Sequence, residues 1–351
     1  MREGKISDSV LKRTVLKSIG RLPDGLVRPG AGKDVGMISS GISSEKMSDD
    51  FVMGTATCYG ATDRAVASAF ICSANNVAAA GFVPKGIMLT VLLPEETEEE
   101  DLRKYMESAY ETAKKIDVGI IGGHTEVIKG ITTSVFTSVC GSGEKVKADF
   151  DKLTKHQTDC QTDRKKWIVM TGYAGYEGAT RILDMCEEEY SKIFSHTYLR
   201  DIRQSIEEMS IVREAAVAGQ HGVIAMHDVH NSGVFGALWE LSEQMKSGLS
   251  VDVRAIPIKQ ETVEICERVD ANPYEISSMG ALLMVTYDGE GLAEKLIEQG
   301  FNASVIGTVE DTKDKLLLNK GERSFLNKPG IDEIYRIKNL KEDNKLCVKN
   351  Y

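Results

Sequence analysis

Val118-Gly119-Ile120-Ile121-Gly122-Gly123-His124-Thr125-Glu126-Val127 joins a short apolar run to paired glycines and a polar triplet. Its apolar start, Val118 to Ile121, reads as a buried strand. Gly122 and Gly123 permit conformations closed to other residues and let main-chain N–H groups approach an anion. Three polar side chains follow: His124, Thr125 and Glu126. A strand ending in such a loop suits a phosphate or a metal-bound phosphate, and a tight turn that happens to be polar is the plainer alternative.

Upstream, Gly86 to Leu93 is almost wholly apolar, so it predicts a strand buried on both sides, ended by Pro94. Between the two strands, the acidic run Glu95 to Asp101 suits the first turn of a helix, which continues through Leu102, Met106, Ala109, Tyr110, Ala113 and Ile116. Further upstream, a helix from Thr62 or Asp63 to Ala80 is rich in alanine, which allows close approach to a neighbour. It carries Asn75 and Asn76, poor helix formers whose face either meets solvent or lines a site. A strand from Phe51 to Thr57 precedes it, and before that Gly30-Ala31-Gly32-Lys33 leads to Asp34. A first helix begins at Ser7 or Asp8 and stops at Gly20. Downstream, Ile131 to Cys140 alternates as a strand does.

From Gly141 to Lys166 the chain is polar and aperiodic, which places a connection between two domains, residues 1–150 and 165–330. Two domains are also what 351 residues call for. The second half opens on a strand, Trp167 to Met170, after which Gly172, Gly175 and Gly178 lead into a helix near Glu177. Helices are expected over 182–194, 198–208 and 211–219, then a strand from Val223 to Met226. That strand delivers His227-Asp228-Val229-His230-Asn231-Ser232-Gly233 into another helix. His221, His227, His230 and Asp228 are a metal-type set by chemistry, with an anion or substrate contact at the helix start as the stronger reading. The alternation of strands and helices makes the fold α/β or α+β.

The net charge of −10 argues against nucleic acid or an anionic membrane as partner. With no apolar run of membrane-spanning length and no signal-peptide core after Met1, a cytoplasmic protein is expected. Seven widely spaced cysteines without a Cys-x-x-Cys pair argue against a disulfide framework and a structural zinc site. There is no Walker A string, no Rossmann fingerprint and no Gly-x-Ser-x-Gly elbow.

Four polar spots remain in order: Asp34, Thr57, Asn75-Asn76 and Gly123-His124-Thr125-Glu126. With Ser73-Ala74-Asn75-Asn76-Val77-Ala78-Ala79-Ala80-Gly81, Leu92-Leu93-Pro94-Glu95, Gly233 to Glu240 and Ile306-Gly307, the chain resembles the aminoimidazole-ribonucleotide (AIR) synthetase superfamily, most closely its HypE-like branch, over residues 4 to 320. The resemblance implies two AIR synthetase-like domains, an N-terminal mixed sheet with helices and a C-terminal α/β domain. It implies a homodimer through the N-terminal halves, with ATP and Mg2+ near the interface and an acceptor, small molecule or protein, activated at an oxygen. Carried onto this sequence, it makes Asp34 and His124 the catalytic candidates and Asp34 and Glu126 the metal ligands. Thr57, Asn75, Asn76, Gly122, Gly123, Thr125 and Asp228 become the nucleotide contacts.

This sequence departs from the family pattern at points that bear on chemistry. Thr57 stands where an Asp is usual, Asn75-Asn76 where Asn-Asp is usual, and His124 where the loop is Gly-Gly-Asp-Thr. Ser278-Met279-Gly280 replaces Asn-Glu-Gly, His230 replaces a threonine, and Tyr335-Arg336-Ile337 is not followed by a terminal cysteine. Neutral ligands hold magnesium less well than carboxylates. A non-catalytic dimeric nucleotide- or metabolite-binding homologue, and a hydrogenase maturation factor with an altered tail, are therefore the alternatives.

Overall fold

The computed structural model describes residues 6, 8–19, 22–23, 26–27, 29–30, 34–38, 51–60, 63–142, 164–203, 206–343 and 345–349. Gly20, Gly32, Lys33, Thr62 and most of the polar connection fall outside them. In chain order the elements are β1 (Val35–Ile38), β2 (Phe51–Tyr59), α1 (Asp63–Ala79), β3 (Pro84–Leu93), α2 (Glu99–Lys115), β4 (Gly119–Val127), β5 (Ser134–Ser142), β6 (Lys166–Thr171), α3 (Tyr176–Met185) and α4 (His196–Ile202). They continue as α5 (Val212–His221), β7 (Ala225–Val229), α6 (Gly233–Met245), β8 (Gly248–Asp252), α7 (Gln260–Arg268), β9 (Ala281–Thr286), α8 (Gly289–Glu298), β10 (Ala303–Glu310), β11 (Lys315–Asn319), β12 (Glu322–Phe325) and α9 (Glu333–Glu342). No helix among the described residues is long and apolar enough to cross a membrane.

By its internal contacts the chain forms two units. The N-terminal unit is Ile19–Ala148 with Ile206–Gln220, and the C-terminal unit is Met1–Ser18, Asp149–Ser205 and His221–Tyr351.

The N-terminal unit is built on a five-stranded sheet in the order β1-β2-β5-β3-β4, antiparallel except for the parallel pair β3–β4. Alternation in β2 sends Val52, Gly54 and Ala56 inward and Met53, Thr55 and Thr57 outward. The inward face packs on α1 and α2, through Val66, Phe70, Ala74, Val77, Tyr105 and Ala109. The small residues of α1 allow the close approach expected of them: a Cβ on Gly54 would lie 3.0 Å from the Ser73 carbonyl oxygen. β3 is not buried on both sides. Ile87, Leu89, Val91 and Leu93 face the helices, while Met88 is exposed and Thr90 and Leu92 are half-buried on the other face. Its apolar run misleads because the second face of the sheet is itself apolar, not because it is covered.

The C-terminal unit holds a seven-stranded sheet, β12-β11-β8-β10-β6-β9-β7, in which β8–β11 is the parallel pair. β7 and β9 are buried along their whole length. One helical layer, centred on α6, covers Ile168, Ala225, Val229 and Leu283. A second apolar cluster joins α3, α4, α7 and α9 through Ile182, Leu199, Ile265 and Ile337. The single helix expected over 182–194 is broken at Cys186, whose backbone (φ −121°, ψ 33°) leaves the helical region before the short helix Glu187–Tyr190. The strand expected at Val223 to Met226 sits further on, so His227 and Asp228 belong to β7 and not to a loop.

Candidate functional site

In the N-terminal unit the organising stretch takes a different form from the one its glycines suggest. Gly122 and Gly123 lie inside β4, an edge strand exposed along its length, with no loop between Gly119 and Val127. The Gly123 requirement comes from strand packing, since a Cβ there would fall 1.8 Å from the Leu89 carbonyl oxygen. Gly122 faces the Met88 thioether, 3.2 Å from where its Cβ would be. The expectation of a buried strand followed by a phosphate-cradling loop is thus corrected to an open edge strand.

Strand register then fixes what the open face presents. Thr57 pairs with Phe136, Phe136 with Thr90 and Thr90 with His124, which makes one row across β2, β5, β3 and β4. His124 and Glu126, two apart on one face, meet at 3.2 Å between Nε2 and Oε2. Thr125 alternates away from them on the same exposed strand. Asp34 precedes β1 at the other edge of the sheet, so Asp34 and Glu126 are separated by four strand spacings, about 19 Å. No group of three His, Cys, Asp or Glu side chains among the described residues gathers as metal ligands. Among the described residues, Asp34 and Glu126 of one chain therefore cannot share a magnesium ion, whose oxygen ligands lie at about 2.1 Å.

The two asparagines of α1 have different fates. Asn75 is buried, its Nδ2 donates to the Met209 carbonyl and its Oδ1 accepts from the Ile211 N–H, both at 3.0 Å. Its carboxamide is committed to tying the segment before α5 onto α1, which corrects its assignment as a nucleotide contact. Asn76 is half-buried and its Nδ2 reaches the Thr55 carbonyl at 3.4 Å.

In the C-terminal unit Asp228 is buried in β7, opposite Leu282 of β9. The three histidines do not converge on a metal. His221 meets Asp288 at 3.3 Å, His227 meets Glu240 at 3.0 Å, and His230 meets Glu177 at 3.6 Å. Each takes a separate carboxylate.

The last of these pairs belongs to a cluster that reading the residues one by one misses. The turn at Gly175 has φ +69°, which a side chain strains against, and it starts α3 so that Glu177 points inward. Glu177 Oε2 accepts the Met279 N–H at 3.0 Å and Oε1 lies 3.7 Å from Arg181. Ser278 accepts the Gly175 N–H at 2.7 Å, and its own N–H donates to the His230 carbonyl at 3.2 Å. Burial alone would raise the Glu177 carboxyl, but the His230 imidazole, Arg181 and the Met279 N–H together hold it down at about 2. Close by, Asp332 accepts the N–H groups of Ser232 and Ile334, and burial pushes its carboxyl up. The signal was present in part, because His230, Ser278 and Met279 are departures from the family pattern. Nothing in the sequence marks Glu177 and Arg181 as their partners.

This two-sheet framework matches known proteins over both halves. The chain matches the AIR synthase related protein N-terminal domain at residues 47–143 and the AIR synthase related protein C-terminal domain at residues 165–318. A Methanocaldococcus jannaschii protein assigned to hydrogenase expression/formation is 26% identical over 75% of this chain and 76% of its own length. A carbamoyl dehydratase HypE from Rhizobium leguminosarum is 24% identical over 60% of this chain and 57% of its own length, so the chain spans little more than half of that relative. The fold is that of HypE in a HypE–HypF complex, with TM-score 0.68 and 17% identity over 92% of this chain and all of that one. It is also that of HypE in complex with ATP, with TM-score 0.63 and 15% identity over 84% of this chain and 90% of that one. Both domains present, in order and over most of the chain, make this protein a member of the AIR synthase related family.

Proposed function

We propose that this protein binds ATP in its N-terminal unit and uses it to activate an oxygen of an acceptor. The observation that carries this reading is the family match across both domains, together with a solved relative in complex with ATP. Thr57, Asn76, Thr125 and the main chain of Gly122 and Gly123 are the nucleotide contacts, and His124 is the phosphate contact. A carbamoyl-type acceptor, after the relative's name, is the first to test.

The working unit is a homodimer paired through the open sheet faces. Met53, Tyr59, Met88, Ile121 and Phe136 leave this face exposed and apolar, a patch of the kind that marks an interface. Pairing would let Asp34 and Glu126 contribute from different copies, which their separation within one chain calls for. Sedimentation of the wild type and of Phe136→Glu tests this: a dimer that becomes monomeric is expected, and a monomeric wild type rejects it.

Calorimetric titration with ATP, with and without magnesium, tests the nucleotide reading beside Asp34→Ala. Magnesium-dependent binding lost in the variant is expected. Binding indifferent to magnesium and to Asp34 favours the second reading, a nucleotide- or metabolite-binding homologue without turnover, which the neutral residues Thr57 and Asn76 support. Absence of binding removes both. Full activity of Cys347→Ser with a carbamoyl donor would exclude a thiol-carried carbamoyl group at that exposed cysteine.

A further inference from the structure

In the C-terminal unit an open cavity of about 630 Å³ lies between the approach to α4 and the first turns of α7. Phe194 and Tyr198 line it on one side, their ring centroids 5.0 Å apart and tilted by 39°. Glu261 and Glu264 line it on the other, three residues apart and so on one face of α7. Glu264 is locked: its Oε2 accepts from the Tyr198 hydroxyl at 3.0 Å and its Oε1 from Gln260 at 2.9 Å. Burial and this carboxylate push the Tyr198 phenol up to about 12, so it remains a donor across the physiological range.

Two of the chain's own cations nearby are already seated on rings, and one of those rings is Phe194. Lys259 lies over the rings of Tyr173 and Tyr176, at 5.0 and 4.1 Å. Arg268 stacks 5.0 Å from the Phe194 centroid and donates to the Lys349 carbonyl. The same aromatic group thus already takes a cation against a ring. An aromatic wall facing fixed carboxylates attracts a cation through ring quadrupole and charge together.

We infer that this cavity is a binding site for an organic cation, an ammonium or guanidinium group, held between the Phe194 and Tyr198 rings and the Glu261 and Glu264 carboxylates. The cation is either a free amine or a basic side chain. The site is independent of the nucleotide reading, because every residue in it belongs to the C-terminal unit.

The test is amide-shift titration of the full chain with tetramethylammonium, with a blocked lysine tripeptide and with neutral 2,2-dimethylpropanol. Saturable shifts at residues 193–198 and 260–264 are expected for the cations, with little response to the alcohol. Tighter binding of the tripeptide identifies a protein-borne lysine, and tighter binding of the small cation identifies a metabolite. Glu261→Gln should weaken binding about tenfold, and raising salt should weaken it further. Tyr198→Phe, which keeps the ring and unlocks Glu264, should weaken it about threefold. The inference is overturned if the alcohol binds as well as the cations, if Glu261→Gln binds like the wild type, or if no cation saturates these amides.

Discussion

The two sheets invite comparison. In the C-terminal sheet β7 and β9 are buried on both faces, whereas among the described residues the N-terminal sheet is covered by α1 and α2 on one face only. Both sheets contain strands of nearly continuous apolar sequence, such as Leu282 to Val285 and Ile87 to Leu93. In one, that sequence completes an internal core. In the other, half of it stays at the surface, with Met88 at 45% exposure and Ile121 at 64%. Apolar pattern therefore reports that a face is meant to be covered, without saying by what.

Substitutions at matched depth should break this comparison if it is wrong. Leu283→Ala, in a strand covered on both sides, should cost about 2–5 kcal/mol in denaturant unfolding. A loss under 1 kcal/mol would mean that β9 is not the core it resembles. The next largest effect concerns pH and contrasts one buried carboxyl from each unit. Burial raises Glu214 of α5 to about 7, so its ionisation is resisted in the folded state. Folding stability should then fall as pH rises from its unfolded value near 4.5 to about 7, and stay low above that. Glu214→Gln should remove this slope and stabilise the protein at pH 8 by up to about 3 kcal/mol, read as Tm against pH. Glu177 has the opposite sign. Its lowered carboxyl contributes stability above about pH 4.5, which is lost as pH falls toward 2. Glu177→Gln should therefore be less stable than the wild type at neutral pH, with the gap closing in acid.

Asn75→Ala should cost about 1–3 kcal/mol, because it leaves the buried Met209 carbonyl and Ile211 N–H unpaired. Hydrogen exchange should show the loss concentrated in residues 206–220. The smallest effect on the single chain is expected on the open face. Met88→Ser should change unfolding by no more than about 0.5 kcal/mol at dilution where any dimer is dissociated. A large effect there would mean that the face is covered by this chain itself.

Much of the architecture was legible in the sequence. The alanine-rich helix α1, the amphipathic helix α2 and the glycine-initiated α3 follow from spacing and composition alone. The mistakes have a common physical origin. Gly122 and Gly123 looked like a loop because local sequence cannot distinguish a glycine needed for unusual φ from one needed for close strand approach, as at Leu89. Val118 is buried as its apolar run predicts, but Ile120 and Ile121 are exposed, because apolar character does not distinguish a core from an uncovered edge. Asn75 looked functional because its partners, Met209 and Ile211, lie far away in sequence. The same distance hid Glu177 from His230 and Met279, whose meeting depends on the fold that brings Gly175, His230 and Ser278 together.

The clamp at Asn75 has a consequence for the timing of synthesis. The N-terminal unit takes in Ile206–Gln220 as well as Ile19–Ala148, so its last piece emerges about seventy residues after the rest. At about 5–20 residues per second, the nascent unit waits roughly 4–14 s before α5 can dock. Throughout that interval Asn75 has no Met209 or Ile211 to hold, and the α1 surface that they cover stands open to solvent or to a chaperone.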